Sequence, residues 1–104
     1  MKQYKVLMTE PAVDDLQAIV KYISDELLEP VIAKKLVGKI KEAVMGLEKL
    51  PTRHALVADE RLAAQGIRKL IVENYIAFYV ISEVDEIVTV IRILYGRRDW
   101  EHWL

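Results

Sequence analysis

Tyr4, Val6 and Met8 alternate with Lys5 and Leu7, a period-two pattern that predicts a short opening strand. Thr9 follows as a helix N-cap, with Pro11 in the first helical turn. The acids Glu10, Asp14 and Asp15 stand near the positive end of the helix dipole. Val13, Leu16, Val20, Ile23 and Leu27 recur at steps of three and four and predict one apolar helical face. Pro30 interrupts the pattern, and Ala33, Leu36, Ile40, Ala43, Leu47 and Leu50 form the stripe of a second helix that Pro51 ends. The short break at Glu29-Pro30 makes the pair an antiparallel hairpin. Residues 51–66 read as a long loop that carries His54 and the mixed run Asp59-Glu60-Arg61. Beyond Gly66 the runs Ile67–Glu73, Tyr75–Ser82 and Ile87–Tyr95 are rich in β-branched and aromatic residues. They predict three strands in an antiparallel meander. Val80-Ile81 and Ile87-Val88 carry no polar side chain, so the central strands are expected to be buried on both faces for part of their length. The expected fold is α+β with the order β-α-α-β-β-β, a helical hairpin on one face of a mainly antiparallel four-stranded sheet.

Composition narrows the class of protein. A chain of 104 residues, 53% hydrophobic and 30% charged, predicts a single globular domain over 1–104 with room for one core and no second layer. Cysteine is absent, which excludes disulfides, thiolate zinc sites and a cysteine nucleophile and fits a reducing cytoplasm. No apolar run approaches the roughly 20 residues that span a bilayer. The opening Met1-Lys2-Gln3-Tyr4-Lys5 leads into no signal-peptide core, so a protein that stays in the cytoplasm, away from membranes, is expected. The net charge of −1 gives no global field for nucleic acid. Its distribution is uneven. Acids gather between Glu10 and Glu29, bases between Lys34 and Lys69, and Arg92, Arg97 and Arg98 cluster near the end.

Candidate chemistry is sparse. His54 and His102 lie in no metal-ligand pattern, and no nucleophile elbow, P-loop or dinucleotide turn occurs, so neither metal nor cofactor is expected. What remains is a basic and aromatic set on the strands and tail: Arg68, Lys69, Tyr75, Tyr79, Arg92, Tyr95, Arg97, Arg98, Trp100 and Trp103. Arginines can fork onto phosphate oxygens, and rings can stack on unpaired bases. Tyr79, inside Phe78-Tyr79-Val80, reads as core. Trp100 and Trp103 have a bland alternative as rings buried against the hairpin.

Taken in order, Gly66-Ile67-Arg68-Lys69-Leu70, Asn74-Tyr75 with Phe78-Tyr79, and Ile91-Arg92-Ile93-Leu94-Tyr95-Gly96-Arg97-Arg98-Asp99 resemble the RelE/ParE toxin superfamily. Glu10-Pro11-Ala12 and Asp14-Asp15-Leu16 match its N-terminal half. The resemblance implies a bacterial toxin neutralised by a cognate antitoxin, which would also carry the operator-DNA binding. It implies one of two targets. RelE-like members cut mRNA on the ribosome without a metal, by attack of the ribose 2′-OH on the adjacent phosphate. On that reading Arg68 and Arg98 hold the phosphate, Arg97 assists, and Tyr95 or His102 moves the proton, with Lys69, Tyr75 and Arg92 binding substrate. ParE-like members instead poison DNA gyrase through protein contact. The nuclease pattern has an arginine after the tyrosine of the Asn-Tyr turn, and this chain has Ile76 there. The mRNA endoribonuclease is the first expectation from the sequence and the gyrase inhibitor the alternative.

Overall fold

The computed structural model describes residues 2–96 and 102–104. Its elements are β1 (Lys5–Met8), α1 (Glu10–Lys21), α2 (Pro30–Met45), the short α3 (Glu60–Ala64), β2 (Arg68–Val72), β3 (Tyr75–Ser82) and β4 (Ile87–Tyr95). The sheet order is β1-β4-β3-β2. The last three strands form the antiparallel meander, and β1 lies parallel to β4, pairing Lys5–Met8 with Ile87–Val90. The α1–α2 hairpin covers one face of this mixed sheet, so the α+β architecture is as the residue pattern predicts.

Thr9 sets where β1 ends and α1 begins. Its backbone is extended, and its Oγ1 accepts a hydrogen bond from Ala12 N at 3.2 Å, satisfying one of the amides a helix start leaves open. The same hydroxyl donates to the Ile91 carbonyl at 2.8 Å, so the cap also ties α1 to β4.

The apolar face of α1 is centred one position earlier than its spacing suggests. Ala12 and Ile23 are buried and Leu16, Ile19 and Val20 pack against them, whereas Val13 and Leu27 are exposed. Over Tyr22–Glu26 the helix widens into a π turn, which adds a residue to the turn and rotates Leu27 off the stripe. Leu28 then takes a left-handed φ of 55°, and α2 starts on Pro30. In α2 the stripe Ala33, Leu36, Ile40 and Val44 is buried, continued by Leu47. Leu50 does not belong to it. The helix closes through a 3₁₀ turn at Gly46–Glu48, and Leu50, left-handed before Pro51, is 63% exposed.

Two expectations need correction on the far side of the sheet. The segment 51–66 is not a plain loop, because Asp59 Oδ1 accepts from Leu62 N at 3.0 Å and caps α3, which ends before Gly66 at φ 80°. It builds a second core. Val57, Leu62, Ile67, Phe78 and Leu94 are buried together there, with Leu104 packed against them. The expectation of one core therefore fails, since the central strands are apolar enough to bury both faces. That double burial falls on Ala77-Phe78-Tyr79 and Ile93-Leu94, while Val80, Ile81 and Ile87 are only half-buried. Ile67 and Glu73 fall outside β2: Ile67 N bonds back to Leu62 O, and Glu73 is left-handed in the β2–β3 turn.

Candidate functional site

Two groups of candidate residues emerge, one at each end of the sheet. At the end where β3 begins and β4 finishes, Tyr75 pairs with Tyr95, their ring centroids 5.6 Å apart and tilted by 40°. Burial, then the nearby Tyr95 and Tyr22, pushes the Tyr75 hydroxyl above its ordinary pKa, so it stays protonated. These rings line a groove of about 720 Å³ between α1 and β4, floored by Ala18, Ile19 and Ile93. Gly96 leaves this corner with its amide bonded to Asn74 O at 2.8 Å. A Cβ on Gly96 would lie 3.2 Å from that oxygen, so the small residue permits the close approach.

Arg92 stands beside the groove and is fully engaged. Its Nε and Nη2 donate to the two carboxylate oxygens of Asp15 on α1 at 2.6 and 2.7 Å, and its Nη1 donates to Trp103 O at 3.2 Å. The Trp103 ring centroid lies 5.5 Å from the guanidinium carbon. Asp15 also accepts from Ile93 N at 3.0 Å. The pair is largely buried, which makes its fork geometry a structural join between α1, β4 and the C-terminal residues. The Asp15 carboxylate raises the Arg92 pKa still further, so Arg92 is a permanent cation committed to structure.

At the opposite end Arg68 begins β2. Its Nη1 donates to the carbonyls of His54 at 2.7 Å and Thr52 at 3.3 Å, so it staples the 52–54 turn to the sheet. Tyr79, opposite Arg68, is core as expected, with its hydroxyl donating to Pro51 O at 2.5 Å. Lys69 is half-buried on the other face, paired with Phe78. His54 sits edge-on to Tyr79 at 6.5 Å. Burial first, then Arg53, lowers its pKa below the ordinary 6.5. A base whose folded pKa is depressed stabilises the fold above its unfolded pKa, and that stability is lost as pH falls into the window below 6.5. His54→Gln is therefore expected to flatten the fall of the urea midpoint between about pH 6.5 and 5. An unchanged slope would show that His54 titrates alike in both states.

The structure thus brings Tyr75 and Tyr95 together with Arg92 and the groove, and leaves Arg68, Lys69 and His54 apart from them. Along β3, the partner of Arg68 (Tyr79) and the partner of Tyr95 (Tyr75) are four residues apart, about 13 Å, and two strand spacings add about 10 Å across. His102 and Trp103 are exposed. Arg97, Arg98 and Trp100 lie outside the described residues. Among the described residues no cluster of His, Cys, Asp or Glu could hold a metal ion, and no helix is long and apolar enough to cross a membrane. Asp15 is the partner that residue patterns did not single out. The available signal was a carboxylate on the buried stripe, three residues after Ala12 and four before Ile19.

A meander backed by a helical hairpin is a fold shared with known toxins. The family model of the ParE toxin of the type II toxin–antitoxin system parDE matches residues 6–100, and the chain belongs to that family. Among solved structures, the chromosomal ParDE system of P. aeruginosa is similar at 25% identity and TM-score 0.73, over 91% of this chain and 98% of that one. The RelBE2 toxin–antitoxin complex of Mycobacterium tuberculosis shares the fold at 23% identity and TM-score 0.66, over 91% and 93% of the two chains. A mutant of E. coli RelE in the free state does so at 12% identity and TM-score 0.69, over 97% and 92%. No curated protein matches the chain in sequence.

Proposed function

We propose that this toxin acts by protein contact with DNA gyrase rather than by cutting mRNA, and that a cognate antitoxin neutralises it. The observation that carries the choice of target is Arg68, held by two backbone carbonyls at the far end of the sheet from Tyr95. Cleavage through the 2′-OH needs cations and a proton-transfer group converging on one phosphate. Arg92, one of the expected cations, is paired with Asp15, and Arg68, another, places its Nη1 on the His54 and Thr52 carbonyls. Ile76 occupies the position where the nuclease pattern has a third. Membership of the ParE toxin family supports the same reading, and the ParDE and RelBE complexes among the similar folds support an antitoxin partner.

Arg68→Gln separates the two mechanisms. An amide can keep one bond to the 52–54 turn, so the variant is expected to fold and to arrest growth within about twofold of the parent. A nuclease that lost a phosphate donor would slow by roughly 100-fold or more. Loss of growth arrest from a variant that still melts cooperatively would restore Arg68 to a catalytic role.

A further inference from the structure

α2 carries a glycine for which its own fold gives no reason. Gly38 lies in the middle of the helix on its exposed side, without a positive φ, and a Cβ added there meets nothing within 4 Å. Gly66 and Gly96, by contrast, answer to a left-handed turn and a close backbone contact. A glycine inside an exposed helix costs stability relative to alanine, because its backbone loses more freedom on folding. Its surroundings are equally unspent. At about 100° per residue, Val31, Lys34, Lys35, Lys41, Glu42 and Met45 fall within about 60° of Gly38 around the helix axis. This arc is opposite the buried Ala33, Leu36 and Ile40, and every residue on it is exposed. Val31 and Met45, 64% and 54% exposed, stand at its two ends, about 21 Å apart. The three lysines outweigh Glu42, and none of these four charges has an ion pair among the described residues. Lys39, off the arc, is the α2 lysine that does, with Glu73.

We propose that this face of α2 is the surface that grips DNA gyrase, with Gly38 admitting an acidic segment of the enzyme close against the helix backbone. Lys34, Lys35 and Lys41 pair with its carboxylates, and Val31 and Met45 cover its apolar flanks. The inference rests on the gyrase reading and adds which surface makes the contact. A missing Cβ lets another backbone approach more closely than any side chain would allow, which accounts for a residue the fold itself does not need. The lysines steer and select an acidic partner. Apolar residues at both ends favour a protein over DNA, whose phosphate backbone offers them no counterpart. A second copy of this chain is a poor fit, because a two-fold contact would set lysines against lysines.

The test uses the toxin released from its co-expressed antitoxin, together with intact DNA gyrase, and measures binding, supercoiling and melting temperature. Gly38→Ala is expected to raise the melting temperature by about 3–8 °C. Gly38→Leu is expected to melt no lower than the parent, yet to weaken gyrase binding at least about tenfold by blocking the approach. Lys34→Glu with Lys35→Glu is expected to weaken binding at least about 30-fold and to flatten its loss with rising salt. Lys5→Glu, at an exposed lysine of β1, should stay within about twofold of the parent. A Gly38→Leu toxin that binds and inhibits gyrase as the parent does overturns the proposal and leaves the gyrase reading standing. Weaker antitoxin binding with gyrase inhibition unchanged would make this face the antitoxin's. Binding to linear duplex DNA without gyrase, lost in the lysine variant, would make the occupant nucleic acid, and a change in toxin self-association alone would make it a second copy. Each of these overturns the proposal as well. A parent toxin that neither binds nor inhibits gyrase sinks the gyrase reading and this surface with it.

Discussion

Asp15→Ala is expected to destabilise the protein by about 2–4 kcal/mol, because it strips a largely buried arginine of its partner. The carboxylate accepts three hydrogen bonds, two from Arg92 and one from the Ile93 amide, so the substitution also leaves an edge amide of β4 unpaired. For a domain near 100 residues this corresponds to a fall in melting temperature of roughly 10–25 °C. Arg92 also holds Trp103 from below and donates to its carbonyl, so loosening Arg92 should free the C-terminal residues as well. Trp103 fluorescence in an otherwise folded Asp15→Ala sample should then report a more solvated ring. The two-residue swap Asp15→Leu with Arg92→Met removes both charges together. It is expected to recover much of the loss, since a buried pair costs desolvation that an apolar replacement avoids. A melting temperature within 2–3 °C of the parent for Asp15→Ala alone, equivalent to about 0.5 kcal/mol or less, would show that the join contributes little.

Phe78→Ala should cost about 3–5 kcal/mol, the range for truncating a fully buried ring. Phe78 is the largest side chain of the second core, among Val57, Leu62, Ile67 and Leu94. Its loss removes the surface on which α3 and Leu104 pack. Because this core lies on the face away from the hairpin, Leu62→Ala should fall in the lower part of the 2–5 kcal/mol range and be non-additive with Phe78→Ala. Chemical denaturation of the three variants checks this directly. Additive losses would mean that α3 and β3 do not share a packed interior.

Much of the fold was legible in the residue pattern because its strongest signals are local. β3 and β4 appear with their predicted bounds, since dense β-branched runs between turn residues leave little room for another state. Thr9 caps α1 as its type and place suggest. What escaped was short or long-range. α3 spans one turn and a half, too little for a periodicity, and only Asp59 and Gly66 mark its ends. The π turn at Tyr22–Glu26 shifts phase without any residue that demands it. The second core could not be seen from one segment, because its members come from the 57–67 stretch, β3, β4 and the C-terminus.

The site was legible as a set of residue types but not as an arrangement. Arg68 and Arg92 look equally available in the sequence. Only tertiary contacts with Thr52, His54 and Asp15 reveal that both are bound within the fold. The same holds for the groove. Tyr75 and Tyr95 were candidates as single residues, whereas Tyr22 joins them only because α1 crosses the end of β4.

The most direct test of the account is one induced culture assayed for both targets. DNA gyrase supercoiling is expected to fall and DNA breaks to accumulate while primer extension finds translated mRNA intact. Cuts within codons of mRNA, with supercoiling unchanged, would contradict it and return this toxin to the nucleolytic branch of its superfamily.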